Sequence, residues 1–86
     1  MDAPTLLQTG PETFRVLLGD GRQITAILPH HTRRGLGLHG VPPLTVANEM
    51  VRFLLEQGEE LEGEVGLGVA AGRHVGFVEE LRSRLA

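Results

Sequence analysis

The sequence predicts a small single α+β domain in which an antiparallel β-hairpin, or a short sheet, packs against two α-helices. Two alternating apolar runs flank Asp20-Gly21, and two amphipathic segments with helical spacing follow them. A chain of 86 residues can bury one modest core. We therefore interpret residues 1–86 as one domain, whose residues 1–12 are either a loose N-terminal segment or, at Thr5–Leu7, a short edge strand.

The hairpin is the clearest element. Phe14, Val16 and Leu18 alternate with outward-facing positions before Asp20-Gly21, and a second alternating run follows. Asp-Gly between two such runs predicts a hairpin with a two-residue turn, because glycine adopts the positive φ that this turn requires. The strands are predicted at 13–19 and 22–28.

The middle of the chain predicts a long connection and a helix. Residues 30–43 are polar and rich in glycine, with a third short strand predicted at 36–38 as an option. The apolar spacing of residues 45–57 predicts a helix with Thr45 as its N-cap and Gly58 as its C-terminal cap.

The C-terminal third leaves one alternative open. Residues 64–72 fit a strand by alternation, with a short helix through Val69–Ala71 as the competing interpretation. The glycines of this segment are interpreted as allowing close packing, since their spacing and the missing lysine do not match a phosphate-binding loop. Residues 74–85 predict an amphipathic helix with a Glu80–Arg84 ion pair.

Ten apolar residues from the hairpin and the two long helices share inward-facing positions. The predicted core is Phe14, Val16, Ile24, Ala26, Met50, Val51, Leu54, Phe77, Leu81 and Leu85.

Composition excludes several classes of protein. The chain lacks cysteine, its apolar runs are too short for a membrane span, and no basic and apolar leader precedes Pro4. We therefore expect a cytoplasmic protein without a membrane partner. Residues 1–43 carry four arginines against three acids, whereas residues 44–86 carry four against eight, so neither half is strongly basic.

Histidine and arginine are concentrated around the connection that follows the hairpin. His30, His31 and His39 could bind zinc or support hydrolysis, but adjacent histidines point apart in an extended chain, and no cysteine or nearby acid completes a site. We expect no catalytic residue, cofactor or metal. The candidate contacts to a nucleic acid or a protein partner are Arg15, Arg22, His30, His31, Arg33 and Arg34.

The apolar stripe of the helix at 45–57 covers more than half of the helical wheel. Such a stripe is either buried core or, where a small sheet leaves it uncovered, a surface for an oligomer or partner. The candidate oligomer or partner surface is Val46, Met50 and Phe53.

Residues 13–34 resemble the start of bacterial translation initiation factor one. The resemblance is carried by Phe14, Arg15, Val16, Leu18, Gly21, Thr25, Ala26, Ile27 and Arg34. It implies an OB-fold barrel that binds the small ribosomal subunit. The remainder does not match, since Pro42-Pro43, a helix and an acidic turn replace the later strands and the basic C-terminus of that family.

Taken together, these features predict a small non-enzymatic regulatory or protein-interaction module. We expect a protein partner or a homo-oligomer. The alternative is an RNA-binding or other nucleic-acid-binding protein that uses the hairpin and the Arg33-Arg34 loop, and its binding would weaken steeply with salt.

Overall fold

The computed structural model describes residues 3–85, and within this range the chain forms four strands and four helices around one core. The strands are β1 (Thr5–Gln8), β2 (Thr13–Leu17), β3 (Gln23–Ile27) and β4 (Glu64–Gly66). The helices are α1 (His30–Gly35), α2 (Pro43–Glu56), α3 (Leu67–Ala71) and α4 (Phe77–Leu85). The predicted α+β class is confirmed.

The sheet has the order β1-β2-β3-β4. β1 and β3 run antiparallel to β2, whereas β4 pairs with β3 in parallel. Phe14 lies opposite Ala26, and Val16 lies opposite Ile24. All four are buried in one cluster with the apolar side of α2, so the predicted alternation is confirmed. The other face of the sheet, on which Arg15 lies, is exposed.

The hairpin turn has three residues instead of the expected two. The Leu18 N–H donates to the Arg22 carbonyl (2.8 Å), and the Gly21 N–H donates to the Leu18 carbonyl (3.0 Å). Gly21 has a φ of +89°. This is a turn closed by a residue in the left-handed region, so the glycine was needed where predicted but the loop is one residue longer.

One predicted strand and the predicted start of the helix at 45–57 are wrong. Residues 36–38, expected as a strand, instead form a turn directly after α1. The polar run that begins at His30 forms this short helix, and Leu36 and Leu38 after its end are buried in the core. α2 begins at Pro43 after the N-cap Pro42, not at Thr45. Proline suits this first position because its missing N–H would have no helical partner.

Both open alternatives are resolved. The N-terminal segment forms the edge strand β1, while Met1 and Asp2 lie outside the described residues. The segment at 64–72 divides into β4 and α3. A Cβ atom on Gly68 would lie 2.8 Å from Thr32 Cγ2, so the close-packing interpretation is confirmed at this glycine, where α3 approaches α1.

An arginine joins α4 to α2. Arg84 Nη2 lies 2.7 Å from Glu56 Oε1 and 3.0 Å from Glu80 Oε1, which confirms the predicted pair with Glu80. The guanidinium also lies over the Phe53 ring, with Cζ 5.9 Å from its centroid. Hydrogen bonds from Arg84 lower the pKa of the Glu56 carboxyl below its ordinary value.

Eight of the ten predicted core residues are buried, while Phe77 and Leu85 are partly buried against the core. The core also includes Leu28 directly after β3, Leu61 in the loop between α2 and β4, and Leu67 at the start of α3. A sequence pattern does not identify such positions, because the residues on their two sides do not continue a single helical or strand periodicity.

Gly58, the predicted C-terminal cap of α2, lies just after the end of this helix and allows the cap to be tested. Its φ is +79°, its N–H donates to the Leu55 carbonyl, and the Glu59 N–H donates to the Leu54 carbonyl. We expect Gly58→Ala to lower the free energy of unfolding by about 1 kcal/mol, since alanine is strained in the left-handed region. The matched control is Gly40→Ala, where φ is not positive and a Cβ also meets open space. Equal denaturant midpoints for the two variants would contradict this account.

The Glu56–Arg84 pair predicts a pH dependence. Because the pKa of Glu56 is lower in the folded chain than its ordinary 4.5, its contribution to stability is present above pH 4.5 and is lost as the pH falls through the folded-state pKa. Glu56→Gln should therefore be less stable than the unmodified chain near neutral pH, and the two should converge in acid. Unfolding curves at successive pH values measure this, with Glu62→Gln in an exposed loop as the control. A difference that does not shrink in acid would contradict it.

Candidate protein-interaction surface

β1 forms one edge of the sheet, and its hydrogen-bonding pattern can be derived from its neighbours. The Thr9 N–H donates to the Thr13 carbonyl (3.0 Å), which continues the β1–β2 pairing by one residue. In an antiparallel pair the bonded residues alternate. Thr5 and Leu7 therefore bond to β2, and the backbone groups of Leu6 and Gln8 point away from it. No strand pairs with that side within residues 3–85.

The two edges of the sheet differ in how well they are protected against pairing with a further strand. β4 is three residues long, begins with the charged Glu64 and continues directly into α3. β1 is four uncharged residues, Thr-Leu-Leu-Gln, in regular register with β2. Natural sheets block their edges with charge, proline, bulges or a covering element. β4 shows such features, whereas the β1 strand itself contains none of them.

Exposed leucines flank β1 on both sides of the sheet. On the open face, Leu7 is 64% exposed and Leu17 is 43% exposed. On the helix side, Leu44 is 39% exposed, and it helps to line a groove of about 270 Å³ beside Leu6. A free strand edge and apolar side chains thus occur together. We name this the β1 edge surface: Leu6, Leu7, Gln8, Leu17, Leu44, Thr45 and Asn48.

The predicted basic contacts are not gathered into one site. Arg15 is exposed on the open face of the sheet, opposite Leu7. Arg22 lies at the hairpin turn, where its backbone and side-chain hydrogen bonds to Asp20 lower the pKa of that carboxyl. Arg34 is exposed on α1. These three residues thus lie on three different parts of the fold: β2, the hairpin turn and α1.

Arg33 has an internal role. It is only 8% exposed, its Nη1 donates to the Val41 carbonyl (3.0 Å), and its Nη2 lies 2.9 Å from His30 Nδ1. A guanidinium can only donate, so the His30 nitrogen accepts. The prediction that Arg33 contacts a ligand is therefore corrected: α1 turns this side chain inward to hold the segment ahead of α2.

The two histidines of α1 have different surroundings. The His30 backbone N–H donates to Glu12 Oε2 (2.7 Å), which anchors the start of the helix. His31 is exposed and lines a cleft of about 450 Å³. The cleft lies where α1, α3 and β4 meet, and its walls are mostly apolar or glycine. The other acidic or basic side chain in its lining is Glu64.

The predicted partner surface on α2 is corrected. Val46, Met50 and Phe53 are buried, because the sheet on one side and α3 and α4 on the other together cover the whole apolar stripe. Phe53, for example, packs edge-on to the His74 ring at 5.7 Å between centroids. The exposed apolar residue of α2 is Leu44, two residues before Val46.

Sequence reasoning missed Leu7, Gln8 and Leu44. The available signal was an uncharged run between Pro4 and Pro11 and a leucine directly after Pro43. Neither signal identifies which side of a strand is free, because that depends on the order of strands in the sheet.

Comparison with known proteins gives no assignment: the chain matches no model of a protein family, no curated protein and no solved structure. The resemblance of residues 13–34 to initiation factor one stays a prediction, and the strands that carry it lie here in an open mixed sheet.

From residue 3 to residue 85, no three histidine or acidic side chains converge as a metal site would require. Over the same residues, no helix is both long enough and apolar enough to cross a bilayer.

The internal role of Arg33 leads to a prediction. Arg33→Met keeps most of the aliphatic stem but leaves the Val41 carbonyl and His30 without their donor, so we expect a loss of about 2 kcal/mol in the free energy of unfolding. Arg34→Met, on the exposed side of the same helix, should change it by less than about 0.5 kcal/mol. Chemical denaturation of the two variants measures the difference, and equal effects would contradict the internal role.

Proposed function

We propose that this chain is a small non-enzymatic protein-interaction module that binds an extended segment of another polypeptide along β1. The observation that carries the proposal is the unprotected edge of β1, where Leu6 and Gln8 direct their backbone groups outward between exposed leucines. Strand addition uses these two elements: backbone hydrogen bonds give affinity, and apolar contacts on either face give selectivity.

The ion pairs support the non-enzymatic part of the proposal. Arg84 joins α4 to α2 through Glu56, Arg22 closes the hairpin turn through Asp20, and His74 binds Glu59 at 2.9 Å. The pairs of Arg84 and His74 join separate segments of the fold, and the pair of Arg22 lies within the hairpin turn. None lines the cleft beside His31, where a reaction would need a base and a partner group together.

The absence of cysteine supports a reducing compartment, and we propose the cytoplasm. The placement of the arginines favours a protein partner over a nucleic acid. Arg33 is engaged inside the fold and Arg22 is paired with Asp20, which leaves Arg15 and Arg34 on different elements. A nucleic-acid interface requires several positive groups along one path.

A proline at position 8 tests the proposed surface. Gln8→Pro removes the outward N–H and places a ring on the free side, while the bonds of Leu7 and Thr9 to β2 remain. Gln8→Ala is the matched control, since it loses the same side chain but keeps the N–H. Each form is immobilised, and the proteins retained from native lysate, including further copies of the chain, are measured with and without nuclease.

We expect a protein that is retained by the unmodified chain and by Gln8→Ala, survives nuclease, and is lost with Gln8→Pro. Equal retention by Gln8→Pro, or no retained protein, would contradict strand addition at β1. Retained RNA that is lost on Arg34→Ala and in high salt would instead favour the nucleic-acid function. Unfolding midpoints of the variants establish that each is folded.

A further inference from the structure

The geometry of β1 restricts how two copies of this chain could pair. When two antiparallel strands join their sheets about a twofold axis, opposite residues must lie on the same face. Thr5 and Leu7 lie on the open face, and Leu6 and Gln8 lie on the other. Of the registers centred on the two middle residues of β1, one places Leu6 at the axis and the other places Leu7 there.

Pro4 distinguishes the two registers. With Leu6 at the axis, Gln8 would face Pro4 of the second copy, which has no N–H to give and points a ring at the Gln8 carbonyl. With Leu7 at the axis, Leu6 faces Gln8, and each of these residues both donates and accepts a backbone hydrogen bond. The second register satisfies the outward groups of Leu6 and Gln8 in both copies.

We propose that the β1 edge surface binds a second copy of this chain, with the two β1 strands antiparallel and Leu7 at the twofold axis. This inference rests on the proposed function and names its partner. The two leucines meet at a non-hydrogen-bonded position, where Cα atoms approach to about 4.5 Å and side chains are closest. The groove beside Leu44 lies along the same edge, next to the incoming strand.

Charge does not oppose this pairing. Neither β1 nor residues 43–48 at the start of α2 contain a charged side chain. On the open face, Arg15 lies directly opposite Leu7 within each sheet. In the pair, the two Arg15 residues are separated by three strand spacings, about 14 Å. This exceeds the screening length of about 8 Å at physiological salt, so their repulsion is weak.

Pairing with a second copy also leaves no unprotected strand edge exposed. A peptide added to β1 would itself present a new free edge. Two β1 strands that pair with each other are both interior, and the remaining edges are the two β4 strands, which are short and continue into α3. The interface is small, so we expect reversible association with a dissociation constant on the order of 10 μM.

Opposite charges at position 7 test the register. The full-length chain, Leu7→Lys, Leu7→Glu and an equimolar mixture of these two variants are compared by sedimentation equilibrium over a concentration series. Leu17→Lys is the matched control, because it adds the same charge to the same face one strand further from the axis. Unfolding midpoints establish that each exposed-site variant is folded.

We expect the unmodified chain and Leu17→Lys to dimerise. Each Leu7 variant should associate at least about tenfold more weakly, because like charges would face each other at the axis, and the mixture should recover a dimer containing one copy of each. A monomeric unmodified chain, a Leu7→Lys dimer as strong as the original, or a mixture that does not recover would each overturn the proposal.

The result separates this inference from the proposed function. If the unmodified chain is monomeric but Gln8→Pro still abolishes the binding of another protein, self-pairing is wrong and strand addition stands. If a dimer forms and Gln8→Pro leaves it intact, the β1 edge is not the dimer interface. Neither pairing of two β1 strands nor strand addition then explains the contact between the two copies.

Discussion

The packing of one face of the β2–β3 hairpin against α2 is the contact on which the remaining structure depends. Phe14, Val16, Ile24 and Ala26 are all on that face, and they are buried with Met50, Val51 and Leu54 of the helix. A hairpin alone is marginally stable in water, so this apolar face must be covered. Once α2 lies there, α3 and α4 pack against the remainder of its stripe. The opposite face of the sheet stays uncovered within residues 3–85.

Two arginines hold the segment that crosses from the sheet to α2. Arg33 binds the Val41 carbonyl from within the segment, and Arg82 of α4 donates to the Leu36 carbonyl at 3.0 Å. These carbonyls follow a short helix and have no strand beside them to provide donors. Guanidinium groups satisfy them while Leu36 and Leu38 turn into the core. Arg33 and Arg82 thus stabilise the backbone of this segment, whereas Arg34 is exposed.

The sequence predicted outright the elements with a strong period, left β1, β4 and α3 as alternatives, and missed α1. Alternation identified β2 and β3, and helical spacing identified α2 and α4. α1 was missed because its residues, from His30 to Gly35, include no apolar side chain to reveal a period, and its one buried side chain is the arginine. The stripe of α2 was identified correctly, yet whether Val46, Met50 and Phe53 are core or surface depends on what packs against it. Part of that cover is α3, a five-residue helix that the sequence offered only as an alternative to a strand.

The site depends on topology more than on residue type. Thr5–Gln8 could have been an inner strand or an unpaired terminus, and only the order of strands makes it an edge. The two edges also have opposite character, since β4 begins with Glu64 and is followed by α3, whereas β1 is uncharged. This asymmetry limits assembly. A sheet with two open edges can add copies without end, but a sheet with one open edge closes on itself after a single twofold pairing. If copies pair through β1 as proposed, the protection of β4 would therefore stop growth at a dimer.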